Sequence, residues 1–121
     1  MANDTRLRTG QCHCGTVRFS AHTDLTGLGD CNCSRCRRLG WVMQSMPEAD
    51  FTLVSGADNL TTYRFNTETI DHLFCKTCGI EAFARGSDGK GNVMYMINAH
   101  CLDTPPVIDP SAIKHWDGAN F

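Results

Sequence analysis

Seven of the eight cysteines in this 121-residue chain fall in three tight groups: Cys12-His-Cys14, Cys31-Asn-Cys33-Ser-Arg-Cys36, and Cys75-Lys-Thr-Cys78 followed by Gly79. A tetrahedral zinc site takes four thiolates at about 2.3 Å, and short C-x-C or C-x-x-C hooks place two sulfurs on one side of the ion with little loop entropy to overcome. The first and third groups together supply four ligands, Cys12, Cys14, Cys75 and Cys78, whereas the second supplies three, Cys31, Cys33 and Cys36. Structural zinc is fully held by protein, while catalytic zinc keeps one position for water or substrate. The expectation is therefore two zinc ions per chain, a structural one on the four and a catalytic one on the three. Gly15 and Gly79, each directly after a hook, allow the backbone to turn there and offer amides to thiolate sulfur.

Each of these readings has an alternative. The paired hooks are open to a redox C-x-x-C or a disulfide, and a fourth ligand would close the second group. Cys101 is one such ligand, although its place at the end of an alternating segment favours a plain buried thiol. His13, His22, His72, His100 and His115 lack mutual metal spacing and read as surface or hydrogen-bonded side chains. Met94 and Met96 flank Tyr95, and strand packing with two covered faces accounts for them better than a soft-metal stripe. Arg35, Arg37 and Arg38 are either a solvated helix face or a functional cluster. In the second case they offset the net negative charge of three thiolates on a divalent ion and hold the carboxylates of an anionic thiol such as glutathione.

The elements needed to position these groups are mostly strands. Period-two alternation marks Thr16 to Ala21, Phe51 to Val54, Leu60 to Phe65, His72 to Phe74, Glu81 to Arg85 and Val93 to Cys101. Gly56-Ala-Asp-Asn and the glycine-rich run Gly86 to Gly91 read as turns. One short helix is expected from Ser34, as a capping residue, to Leu39, ending at Gly40. Pro105, Pro106 and Pro110 make residues 104–121 a mostly irregular tail, with Trp116 and Phe121 as anchors that either close over the metal cleft or, the favoured reading, cap the core.

Hydrophobic residues are 41%, charged residues 20% and the formal net charge −2. No apolar run approaches the roughly 18 residues of a membrane span, and there is no basic field to gather phosphates, so neither membrane nor nucleic acid is an expected partner. No secretory signal is read at the N-terminus, so the expected compartment is the cytoplasm, where cysteines are kept reduced and grouped ones are expected to be metal-binding or catalytic rather than a disulfide framework.

The segments Gly10-Gln-Cys-His-Cys-Gly-Thr-Val-Arg-Phe19, Cys31-Asn-Cys-Ser-Arg-Cys-Arg-Arg38 with Gly40, Phe74-Cys-Lys-Thr-Cys-Gly79 and Cys101-Leu-Asp103 resemble, in order, the motifs of the glutathione-dependent formaldehyde-activating enzyme family, to which centromere protein V also belongs. The resemblance spans about residues 10–103. It implies a single zinc-binding β-tent domain over residues 1–121, mainly β, built of short antiparallel strands organised by zinc. It also implies a structural ion on Cys12, Cys14, Cys75 and Cys78 and a catalytic ion on Cys31, Cys33 and Cys36. The activity implied is that of S-(hydroxymethyl)glutathione synthase, formally a carbon-sulfur lyase, which joins formaldehyde to the thiol of glutathione. A non-catalytic zinc-binding interaction module, or an enzyme acting on a different thiol adduct, is the alternative. No residue is matched to a general base.

Overall fold

The computed structural model describes residues 5–64 and 70–117, so Phe65 and the anchor Phe121 lie outside the described residues. In chain order the elements are β1 (Arg6–Gln11), β2 (Arg18–Thr23), β3 (Gly29–Cys31), α1 (Ser34–Leu39), β4 (Met43–Pro47), β5 (Phe51–Ser55), β6 (Leu60–Tyr63), β7 (Asp71–Cys75), β8 (Phe83–Ser87), β9 (Val93–Asn98) and β10 (Lys114–Trp116). The described residues are mainly β with one short α-helix, as the sequence implied, and the helix begins within the second cysteine group and contains Cys36. A three-stranded sheet has the order β1-β2-β5, and a seven-stranded sheet the order β10-β3-β4-β9-β8-β7-β6. No described helix is long and apolar enough to cross a membrane.

The alternating pattern read at Thr16 to Ala21 is the seam between the two sheets. Val17, Phe19 and Ala21 are buried and face the buried Phe83 and Ile97 of the longer sheet. Phe51 of β5 completes the contact by stacking on Tyr95 of β9, with ring centroids 4.1 Å apart and planes 8° from parallel. Burying aromatic pairs in offset stacks adds to their area burial and orients the two sheets. Along β9, Tyr95 joins this main core while Met96 packs on a second cluster made of Cys36, Trp41 and Ala84. The strand therefore has two covered faces, as expected of the Met94-Tyr95-Met96 segment.

Three details differ from the sequence reading. Cys33, not Ser34, caps α1, its sulfur accepting from the Cys36 amide at 3.3 Å. Gly40 does end the helix, in the left-handed conformation with φ 71°. The strand read as Val93 to Cys101 stops at Asn98, whose side chain accepts from the His100 amide and opens a tight 3₁₀ turn over Ala99–Cys101. Within the tail, β10 is regular and runs parallel to β3, alone among otherwise antiparallel pairings of the described strands. Pro110 stands before this strand and leaves its amides free to pair.

Gly10 lies where β1 crosses the core. It pairs with Phe19 in register and bridges to Leu102. A Cβ at this position would stand 2.5 Å from Phe19 Cζ and 2.7 Å from the Cys101 carbonyl oxygen. Gly10→Ala should lower stability by about 1–3 kcal/mol, the usual effect of overpacking, as an earlier urea midpoint at unchanged slope. A midpoint equal to that of the parent chain would contradict this packing.

Candidate functional site

Two turns of similar shape build the four-cysteine group. In the first, after β1, the Cys12 amide donates to Val17 O at 3.0 Å and the Gly15 amide to Cys12 O at 3.2 Å. In the second, after β7, the Cys75 amide donates to Ile80 O at 3.0 Å and the Gly79 amide to Cys75 O at 2.9 Å. Gly15 and Gly79 have φ of 83° and 80°, a backbone conformation that glycine enters without steric penalty. Their amides close the turns on carbonyls and do not reach sulfur as expected. Donors to sulfur include the amides of Val17 to Cys12 and Thr77 to Cys75, with Asn59 Nδ2 also on Cys75, each at 3.4 Å.

The sulfur of Cys14 lies 3.7 Å from that of Cys12 and 3.6 Å from that of Cys75, and Cys78 completes a set within 4.8 Å. Four sulfurs at 2.3 Å from one zinc ion would be roughly 3.8 Å apart. The measured spacings therefore fit such an ion and are far from the roughly 2.05 Å of a disulfide; all eight cysteines are free thiols. An all-thiolate donor set suits a soft or borderline ion and not magnesium or calcium. The thiols are graded in acidity. The Cys78 amide, above all, pulls Cys75 down to about 6, whereas burial pushes Cys12 up to about 11. An incoming cation would meet a ready thiolate at Cys75 and displace protons from the rest.

The three-cysteine group is built differently. Cys31 ends β3, Cys33 caps α1 and Cys36 lies inside the helix. The Cys33 amide donates to Cys31 Sγ at 3.4 Å, and the three sulfurs lie within 4.8 Å of one another. Burial opposes ionisation of Cys33, but the Cys36 amide and neighbouring thiols outweigh it and its pKa is lowered. Burial raises that of Cys36, with Cys33 adding to the effect. The buried Trp41 indole N–H makes no hydrogen bond of ordinary geometry, yet it lies close enough to Cys36 sulfur to favour the thiolate. Cys31 and Cys36 line a cleft of about 430 Å³ together with Arg37, Trp41, His115 and Trp116. Two groups of four and three thiols can thus each hold a metal ion, and the group of three borders open space.

The sequence profile described as glutathione-dependent formaldehyde-activating enzyme matches residues 7–118. The chain belongs to that family. A Halomonas elongata protein provisionally named as a glutathione-dependent formaldehyde-activating enzyme is 31% identical over 83 residues, 60% of this chain and 52% of its own. The chain thus matches about half the length of that curated relative. The crystal structure of a Rhodobacter sphaeroides protein is similar with a TM-score of 0.74 and 31% identity, over 88% of this chain and 98% of that one.

Within this family fold the three arginines have separate surroundings. Arg35 Nη2 donates to Glu81 Oε1 at 2.6 Å and its guanidinium stands over the Tyr63 ring, 4.9 Å from the centroid. Arg38 bonds the Ser34 carbonyl at 2.8 Å and lines a separate groove with Leu39 and Tyr63. Arg37 lines the cleft that Cys31 and Cys36 border. Cys101 is not beside the second group. Burial, and then the neighbouring Cys12 and Cys78, push its thiol up to about 11, so it belongs to the core around the four-cysteine group.

Trp116 does not cap the core. It is 41% exposed and forms one wall of the cleft, carried there by β10 pairing with β3. The Asn32 amide donates to Trp116 O at 3.1 Å, Asn32 Nδ2 to Asp117 Oδ1 at 2.9 Å, and His115 Nδ1 faces Asp30 Oδ1 at 2.7 Å. His72 is buried against Glu81, while His13, His22 and His100 are exposed. Sequence reasoning passed over Glu81, Trp41 and Asn59, and it set the tail wall second to a cap on the core. Only Glu81 carried a signal, as a charged residue in the same hydrophobic segment as Ala82, Phe83 and Ala84.

A structural zinc ion contributes on the order of 10 kcal/mol to folding, comparable with the whole stability of a domain. Cys75→Ser should therefore abolish the cooperative thermal transition seen by circular dichroism, whereas Cys33→Ser should retain it. Equal behaviour of the two variants would contradict this difference between the groups.

Proposed function

We propose that the chain is a zinc-dependent enzyme of the carbon-sulfur lyase class that adds a small aldehyde to a thiol, as in S-(hydroxymethyl)glutathione synthesis. The reading is carried by one observation: two sulfurs of the three-cysteine group line a cleft large enough for small reactants, with a guanidinium on its wall. Cys31, Cys33 and Cys36 would hold the catalytic ion; Cys12, Cys14, Cys75 and Cys78 would hold the structural one. When bound, zinc at the three sulfurs would supply Lewis-acid chemistry and charge neutralisation.

In the reaction the thiol sulfur bonds to the carbonyl carbon, the carbon-oxygen π bond becomes the hydroxyl, and the thiol proton ends on that oxygen. The protein's contribution is chiefly placement, which turns a two-body encounter into a unimolecular step. Arg37 presents a fixed positive charge and a planar donor pair for a substrate carboxylate. Trp41 and Trp116 give the cleft apolar walls against which the reactants would pack. Eight free thiols suit a reducing compartment such as the cytoplasm, and the name of the Halomonas elongata relative supports glutathione and formaldehyde as the reactants.

Two-dimensional NMR exchange spectroscopy on formaldehyde and glutathione tests the proposal. The zinc-loaded chain should accelerate interconversion of thiol and adduct above the buffer rate, and an unchanged rate would remove this reaction. Arg37→Ala should raise the KM for glutathione about ten-fold or more, as expected for one charge-assisted hydrogen bond, while Arg38→Ala should leave it within two-fold. Equal effects of both changes would count against an Arg37 carboxylate contact.

A further inference from the structure

Glu81 is a carboxylate only 1% exposed, three residues beyond Cys78 in the irregular segment between the four-cysteine turn and β8. Its Oε1 accepts from Arg35 Nη2 at 2.6 Å and its Oε2 faces His72 Nδ1 at 3.2 Å, with His72 itself buried. Its backbone carbonyl accepts from Asn98 Nδ2 at 3.1 Å, which ties the same residue to the end of β9. Arg35 lies between Cys33 and Cys36 on α1. One buried carboxylate thus joins the chain leaving the four-cysteine group to the helix that carries two of the three cysteines of the other group.

A buried charge is retained in a core only when paired and hydrogen-bonded, and its documented use is to select one geometry over others. Here the helix needs such a constraint. Six residues are too few for a helix to hold itself in water, and Cys36 is its only buried residue. The Glu81 bond and the Tyr63 ring hold Arg35 from two sides, and Arg35 is adjacent in sequence to Cys36. We infer that Glu81 is a positioning residue for the three-cysteine site: by holding Arg35 it sets the placement of α1 and hence of the Cys33 and Cys36 sulfurs relative to Cys31. This role rests on the reading that those three cysteines hold an ion.

The test uses the full chain loaded with zinc and measures release of each ion to a chromogenic chelator, with cobalt(II) substitution to read the ligand field of the second site. Glu81→Gln preserves the shape of the side chain and removes its charge. Release of the second ion should become about ten-fold faster or more, the usual effect of losing an outer partner of a ligand set. The cobalt(II) spectrum of that site should change, and release from the four-cysteine site should stay as in the parent. The double variant Arg35→Gln/Glu81→Gln leaves no buried charge stranded and should show the same selective loosening, which keeps the test available if the single variant does not fold. Parent-like release of the second ion from either folded variant would overturn the role, as would equal acceleration of both ions. A parent chain that binds only one ion would overturn the site reading and this role with it, and that result is seen before any variant is made.

Discussion

Cys14 and Cys75 are 61 positions apart in sequence, and their sulfurs meet at 3.6 Å. One belongs to the turn after β1, in the three-stranded sheet, and the other to the end of β7, in the seven-stranded sheet. This junction ties the two sheets together at one edge of the core, where Cys12 and Cys75 are themselves core residues. Closing a loop of 61 residues has an entropic cost of about 4 kcal/mol before constants. A four-thiolate zinc site supplies on the order of 10 kcal/mol or more. An ion held there would outweigh that cost, and the remaining core, dominated by Phe19, Phe51, Phe83 and Ile97, would then not have to hold the sheets in register unaided.

The second cysteine group depends on the first through the chain between and around them. β3 and β4 hang on β9, β9 pairs with β8, and the residues leading into β8 come directly from the Cys75 turn. Glu81 crosses this path with a charge pair to α1. The tail then adds the outer wall of the cleft, because β10 completes the edge of the same sheet beside Cys31. Gly29 permits that approach: a Cβ there would stand 2.8 Å from the Lys114 carbonyl oxygen and 3.0 Å from Trp116 Nε1.

Much of this arrangement was legible in the sequence for physical reasons. Thiolate hooks are local, so their spacing alone separates four ligands from three, and the alternation of Val17, Phe19 and Ala21 marks a buried face without knowledge of its partner. The extent of α1 was legible because Gly40 stops the helix, although the capping atom proved to be a cysteine sulfur. What stayed hidden was non-local. β3 and β10 are three residues each, too short to show a period, and they exist because they pair with one another. Arg35, Arg37 and Arg38 look alike in the sequence, and only the tertiary neighbours Glu81, the cleft and the Ser34 carbonyl distinguish them. Cys101 was assigned to a strand because alternation continues past Asn98, where that side chain turns the backbone into a tight turn.

The central claim is that the cysteines divide into a closed group of four and an open group of three, each with its own ion. Native mass spectrometry of the purified full chain tests it most directly. The account predicts a mass increase equal to two zinc ions with all eight thiols reduced; a metal-free chain carrying intramolecular disulfides, or a chain that accepts a single ion however much zinc is supplied, would contradict it.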